Sequence, residues 1–268
     1  MNQRKSLDNQ LGDMVRSLLG WSAALPKAER DRIKTEARET INACEVYLRA
    51  ERRALEKGKM PPQPPQDFGL ILSTIAARAP FDAIEKMETA SIEEMALKLP
   101  IWPKFRDVRG LGPLGVGIIH AEASVPASDL NGLYPDYERV SKLYKRLGLA
   151  VFDGRAQGRM SQALTGDQRK LAWVERGYNP MRRSRIWTVG SSLIKLNGND
   201  GRYRSLYLRR KAYERERAEA NGIRVLPADK IPKGEEARCI SLKHIDLRAQ
   251  RVMEKQLVED LWNAWRLA

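Results

Sequence analysis

The sequence predicts an all-α protein: a helical N-terminal arm, a proline-rich spacer, and a larger helical region beyond it. Three observations carry that expectation. Apolar residues recur at intervals of three and four through several long segments. Proline and glycine fall between those segments, where helices start and stop. No set of short segments alternates apolar and polar residues as half-buried strands do. The 268 residues are 42% hydrophobic with a mean hydropathy of −0.53, which suits a folded chain rather than a disordered one. No stretch approaches the roughly 20 apolar residues of a membrane helix, and MNQRKSLDNQ lacks the apolar segment of a secretion signal. Cys44 and Cys239 are far apart, and His120 and His244 are the only histidines. These counts argue against a disulfide scaffold or a Cys/His metal site, so a cytoplasmic protein without metal or cofactor is expected.

Residues 6–24 and 27–57 are expected to form two helices of the arm. Leu11, Val15, Leu18 and Leu19 make the stripe of the first; Ile33, Ala37, Ile41, Cys44, Leu48 and Leu55 make that of the second. The arm, residues 1–59, is also where a homodimer contact is expected. The run from Met60 to Gln66 holds four prolines, cannot be helical, and forms a stiff spacer over 60–66. A helical domain is expected over 67–148. Residues 67–99 give two or three short helices with starts at Pro80 and at Ser91, where Ser91-Ile92-Glu93-Glu94 has capping-box spacing. Pro100 and Pro103 break the chain. Residues 135–147 form a helix stopped by Gly148. A basic helical region is expected over 149–268. It begins with an irregular stretch, 149–170, and continues with helices at about 180–196 and 201–220, the latter stopped by Asn221-Gly222. A polar loop with Pro227 and Pro232 leads to a last helix at 240–266, with Leu242, Ile245, Ala249, Val252, Leu257, Leu261 and Trp265 as its stripe.

Charge is unevenly placed. Residues 1–150 carry 23 basic and 20 acidic side chains, a net +3. Residues 151–268 carry 25 and 14, a net +11, and 181–217 alone carries 11 and 3. A field this positive captures polyanions. Nucleic acid is the commonest of these, because neutralising phosphates releases condensed counterions.

The segment Val108-Arg109-Gly110-Leu111-Gly112-Pro113-Leu114-Gly115-Val116-Gly117 is the most informative. Glycines permit a tight turn and close approach of a ligand, and Pro113 suits the first turn of a new helix. The amides of Gly110, Gly112, Leu114 and Gly115 would then face outward at a helix N-terminus, where a phosphate is favoured. Leu111 would plug the turn into the core. Lys104, Arg106 and Arg109 add positive charge beside it. The segment 104–125 resembles the helix-hairpin-helix of non-sequence-specific DNA-binding proteins. A bare helix–helix turn is the plainer alternative. A nucleotide-binding loop is disfavoured, since no strand precedes and no GK[ST] follows.

Downstream come Arg146-Leu147-Gly148-Leu149, then Gly154-Arg155-Ala156-Gln157-Gly158-Arg159, then Arg176-Gly177-Tyr178-Asn179-Pro180-Met181-Arg182-Arg183, a Tyr-rich basic helix, and Arg248 to Lys255. This order, over residues 104–268, resembles the C-terminal half of the DEDD-type insertion-sequence transposases and Piv-like DNA invertases. The resemblance implies DNA binding and membership of a mobile-element recombination system. That family also carries an RNase H-like N-terminal domain with four metal-binding carboxylates, and nothing in residues 1–103 matches it. Its nucleophilic serine lies three residues before the glycine of G-x-x-x-[LM]-R. That glycine matches Gly177, so the serine position holds Val174, which cannot form a phosphoserine-type linkage. A second register, Gly158-Arg159-Met160-Ser161, makes Ser161 the one weak catalytic candidate.

Arg155, Arg159, Arg182, Arg183, Arg185, Arg202 and Arg204 complete the candidate nucleic-acid contacts. Arginines in the first turn after Pro180 oppose the helix dipole, which favours phosphate contact over a structural role. Tyr203 and Tyr207 share a helix face and are expected in the core. His120 and His244 are expected to be structural. The expectation is a DNA-binding protein, nucleoid-associated and without catalysis of its own. A serine-dependent strand-transfer enzyme with its metal domain supplied elsewhere, and a structural RNA-binding protein, stand as alternatives.

Overall fold

A computed structural model describes residues 2–64, 68–124, 137–159, 164–235 and 238–267. The fold is all-α, and the chain divides into two compact units, Met1–Ala90 and Ser91–Ala268. In the first unit, α1 (Asn2–Leu18) and α2 (Lys27–Glu56) are followed by the start of α3 (Gly69–Leu97). Leu11 and Val15 of α1, Ala37 and Cys44 of α2, and Ile71 and Ile75 of α3 form one buried cluster. Part of both stripes is thus covered by α3 of the same chain, while Leu18 and Leu55 stay exposed. Arg78 pins the three helices together, bonding Asp8 at 2.9 Å, Glu45 at 2.7 Å and Asp82 at 3.1 Å. Met60 to Pro64 are exposed and carry no regular structure. Helix α3 overturns the expectation of several short helices: it runs through Pro80 and Ser91 without a break. A proline removes one donor from a helix, and the apolar contacts of Ile71 and Ile75 on one side and Ala96 on the other outlast that loss.

The second unit is built around α10 (Leu242–Arg266). Its residues Ile245, Ala249, Met253, Leu257, Val258 and Leu261 are buried. They pack into a core with Ile186, Val189 and Leu193 of α8 (Pro180–Leu196), Tyr203 and Tyr207 of α9 (Arg202–Ala220), and Leu143 of α6 (Val140–Arg146). Helices α4 (Trp102–Phe105) and α5 (Gly112–Ala123) and the turn between them add Phe105, Leu111, Val116 and Ile119. Within 135–147 only Val140–Arg146 is helical among the described residues. It ends as expected: Gly148 takes φ +74°, and Leu149 N–H donates to the Tyr144 carbonyl at 2.8 Å.

The stretch expected to be irregular holds two elements. Strands β1 (Val151–Phe152) and β2 (Arg155–Ala156) form an antiparallel hairpin across Asp153-Gly154, both with positive φ. Helix α7 (Gly166–Glu175) follows, opened by a capping box between Thr165 and Gln168. The polar loop after α9 contributes β3 (Arg224–Leu226), which pairs in parallel with β4 (Cys239–Ser241). No helix among the described residues is long and apolar enough to cross a membrane.

Candidate nucleic-acid interface

The glycine turn joins α4 to α5. Leu111 is buried at its centre, as expected of a plug. The glycines divide by role. Gly110, at φ +92°, lies so close to α8 that an added Cβ would sit 2.9 Å from the Ser192 carbonyl oxygen and 3.2 Å from Leu193 Cα. Gly115 and Gly117 make comparably close contacts with Leu111 and Ile92. These three are packing glycines. Gly112 differs: φ is +58° and the space beside it is open. Among the described residues, no backbone acceptor outside α5 receives the amides of Gly112 or Leu114, whereas Leu111 N–H is taken by Val108 at 3.1 Å. Lys104, Arg106 and Arg109 are exposed on the same segment. Arg106 pairs with its neighbour Asp107 at 3.4 Å. Buried Asn197, at the end of α8, donates to the Arg109 carbonyl at 3.1 Å and so fixes the turn from behind.

The arginines of α8 do not join that surface. Arg182 Nε bonds Glu122 of α5 at 3.1 Å, and Arg185 pairs with the same carboxylate. Arg183 lies 2.8 Å from Glu254, a fully buried carboxylate of α10. Two acids on neighbouring helices offset the dipole conflict of cations in a first helical turn, so Arg182 and Arg183 are structural. They also sit at the far end of α8 from Ser192, about 14 Å along the axis at 1.5 Å per residue. Arg202 and Arg204 are likewise engaged: Arg202 bonds Asp260 at 2.7 Å, and Arg204 reaches the Lys195 carbonyl at 3.4 Å. Tyr203 and Tyr207 are buried, with hydroxyls donating to Asp260 at 3.0 Å and Asp246 at 3.1 Å.

The segment around Gly177 also has a local structural account. Gly177 ends α7 with φ +62°, and Tyr178 N–H closes the turn on the Trp173 carbonyl at 2.7 Å. Asn179 then caps α8 by accepting from Arg182 N–H at 3.0 Å, with Pro180 first in the helix. Val174 is exposed on α7. Ser161 lies outside the described residues.

Arg155 and Arg159 lead to a different feature. The β1–β2 hairpin, α9 and α10 enclose a cleft of about 730 Å³. Arg155 and Arg159 enter it from the hairpin, Arg210 and Arg217 from α9, and Lys243, Arg248, Arg251 and Lys255 from α10. Among the described residues, one carboxylate, Glu214, stands against these eight cations. A second cavity of about 540 Å³ shares Arg159, Glu214, Arg217, His244 and Arg248 with the first, and runs on to Ile223 and Ile240. The cations of α10 went unassigned in the sequence. Their signal was present: His244, Arg248, Arg251 and Lys255 follow a four, three, four spacing, which is one helix face. Arg210, Glu214 and Arg217 repeat it on α9.

The hairpin wall is held from inside. Gln157 is fully buried, and its side-chain amide donates to the carbonyls of Lys145 at 3.1 Å and Arg176 at 3.0 Å. Gly158 rests on the Tyr178 ring, where an added Cβ would lie 2.4 Å from Cζ. Trp173 Nε1 donates to the Gly158 carbonyl at 3.1 Å.

Electrostatics in the cleft run one way. Burial first, then the guanidinium of Arg183, pulls Arg251 below its ordinary range. Burial and Arg251 do the same to Lys255. Burial, Arg248 and Arg159 depress His244 against a smaller opposite pull from Glu214. Burial opposes ionisation of Glu214, but hydrogen bonds from Arg210 and Arg248 outweigh it and hold the carboxyl below the usual range. Its charge is therefore already shared between two arginines. Arg251 Nη1 is enclosed and has no hydrogen-bond partner among the described residues. Among the described residues no group of three or more His, Cys, Asp or Glu side chains could hold a metal ion. No protein-family model, curated protein or solved structure matches this chain.

Proposed function

We propose that the chain is a nucleic-acid-binding protein that grips phosphates in the α9–α10 cleft and at the glycine turn, with DNA as its ligand. The observation that carries this is the cleft wall, which among the described residues holds eight cations and one carboxylate, already paired with Arg210 and Arg248. Such a wall is held together against its own repulsion, and a polyanion relieves it. Lys104, Arg109 and the Gly112 and Leu114 amides supply a second phosphate contact, of the kind that positions a duplex without reading its sequence. The order of the glycine turn, the glycine-basic loop and the Arg176–Arg183 segment supports kinship with mobile-element transposases. With valine at the serine position, the role proposed is binding rather than strand transfer.

The test is the salt dependence of DNA binding, followed by fluorescence anisotropy. If every cleft cation neutralised a phosphate, log K would fall with log salt at a slope of about −7 on duplex or about −6 on a single strand. An Arg155→Gln/Arg159→Gln variant should flatten the slope by about 2, because both side chains are exposed and each removes one phosphate contact. A slope shallower than about −2 for the unaltered protein would refute the proposal. Competition by structured RNA at equal strength would reassign the ligand to RNA.

A further inference from the structure

We infer that the α9–α10 cleft receives an unpaired stretch of nucleic acid, with phosphates on its arginines and bases on an apolar strip between them. This rests on the nucleic-acid reading above and specifies what the cleft, as opposed to the glycine turn, accommodates. The cations are not the whole lining. Val151 on the hairpin wall and Leu247 on the α10 wall are both substantially exposed, at 52% and 43%, and Val252 continues the α10 side. Exposed aliphatic groups inside a cationic cleft fit a ligand that is anionic along one edge and flat and apolar along another. A nucleotide unit is such a ligand. A duplex presents phosphates on its outer surface and stacks its bases inside, so it cannot bring them to Val151 and Leu247. Unpaired bases are free to leave the stack and lie on apolar side chains or guanidinium planes.

Dimensions agree. At about 730 Å³, the cavity falls in the range of small-molecule sites, roughly 300–1,000 Å³. The adjoining 540 Å³ cavity extends it past Ile223 and Ile240, so the path is longer than one nucleotide and again mixes cations with apolar surface. Arg251 is placed at the junction of these requirements at an energetic cost. It is partly buried, repelled by Arg183 and attracted by Glu254, and among the described residues its Nη1 has no hydrogen-bond partner. Buried Glu254 offsets part of that cost, and a phosphate in the cleft would supply the acceptor that Nη1 lacks.

The test compares the full-length protein with labelled 12-nucleotide probes at fixed salt: single-stranded DNA, single-stranded RNA of the same sequence, an abasic strand with the same number of phosphates, and the duplex. The expected result is that the intact strands bind about tenfold tighter than the abasic strand, and that Leu247→Ser reduces this preference to less than about threefold. Arg251→Met should weaken both intact and abasic strands about tenfold without lowering Tm. Lys104→Ala/Arg109→Ala should weaken the duplex while leaving the strand preference in place. Relative affinity for the DNA and RNA strands assigns the sugar. Equal affinity for intact and abasic strands, or cleft substitutions that weaken duplex as much as single strand, would overturn the inference while leaving nucleic-acid binding intact. Displacement of the strand by an equimolar mononucleotide would also overturn it, in favour of a free nucleotide. Absence of salt-sensitive binding to every probe would overturn the nucleic-acid reading itself.

Discussion

Substituting Arg183 by methionine removes the cation in ion-pair contact with Glu254 among the described residues. The carboxylate is fully buried in α10, with Arg183 at 2.8 Å and the Gln250 amide at 3.0 Å as its polar neighbours. Gly190 of α8 leaves no slack, since Glu254 Oε1 lies 2.7 Å from where its Cβ would be. Breaking a buried pair by deleting one member costs about 3–5 kcal/mol. At about 2–4 °C per kcal/mol for a unit of this size, Tm should fall by roughly 6–20 °C. The loss should depend on pH. Burial already raises the Glu254 carboxyl above its ordinary 4.5, against the pull of Arg183. Without Arg183 it rises further, so the folded state holds a proton that the unfolded state releases. Stability then falls as pH increases from about 4.5 through the raised value. The deficit measured by thermal unfolding at 222 nm should therefore be larger at pH 8 than at pH 5. Arg183→Met/Glu254→Leu should recover most of it. A deficit below about 1 kcal/mol at pH 7, or one that does not change with pH, would refute the assignment of Arg183 to the core.

Gly110→Ala should cost more than about 2 kcal/mol, because its Cβ would strike the α8 backbone at positive φ. Gly112→Ala should cost only about 1 kcal/mol, since it meets backbone strain alone; urea denaturation that finds the two equal would contradict these roles. Glu214→Gln frees Arg210 and Arg248 and should raise nucleic-acid affinity several-fold in anisotropy titrations. It should also cost about 1–2 kcal/mol at pH 7, because both arginines retain solvent. The carboxyl is depressed in the folded state, so that stabilisation exists above about pH 4.5 and disappears as pH falls through the depressed value; the gap between variant and parent should close in acid. His244 should titrate below 6.5 by NMR in the free protein, facing Arg159, Arg248 and Glu214, and shift upward when nucleic acid fills the cleft. Binding should then tighten as pH drops from 7.5 to 6, and an unmoved midpoint would exclude phosphate near the imidazole.

Much of the helical framework was legible because its ends are chemically marked. Asn179-Pro180 and Asn221-Gly222 bound α8 and α9, and both helices fall where expected. Helix α7 escaped notice because none of its residues is buried, so it lacks the apolar stripe that periodicity detects, although its Thr165–Gln168 capping box was there to be read. Pro80 misled in the opposite sense: a breaker inside a segment anchored at both ends only dents the helix. In the site, Leu111 was legible as the plug of a local turn, whereas the packing of Gly110 against Ser192 and Leu193 was not, because α8 lies about 80 residues further along the chain. Arg182 and Arg183 were not, because their partners lie 60 residues before and 71 residues after in the chain. A sequence displays a cation but not the acid that folding brings to it. The cleft was hidden for the same reason. Each wall is an ordinary charged helix face, and only the pairing of α9 with α10 and the docking of the hairpin turn three faces into one enclosure.

Together with Trp173 and Tyr178, the buried amide of Gln157 holds the backbone that carries Arg155 and Arg159. Because it reaches two carbonyls from two different helix ends, those guanidinium groups inherit their position from the protein's interior rather than from solvent. Glutamate at 157 would set a negative oxygen against two others, and leucine would leave both carbonyls dry. Either change should let the rim drift while the cations themselves stay intact, so ligand grip would weaken through geometry with no loss of charge.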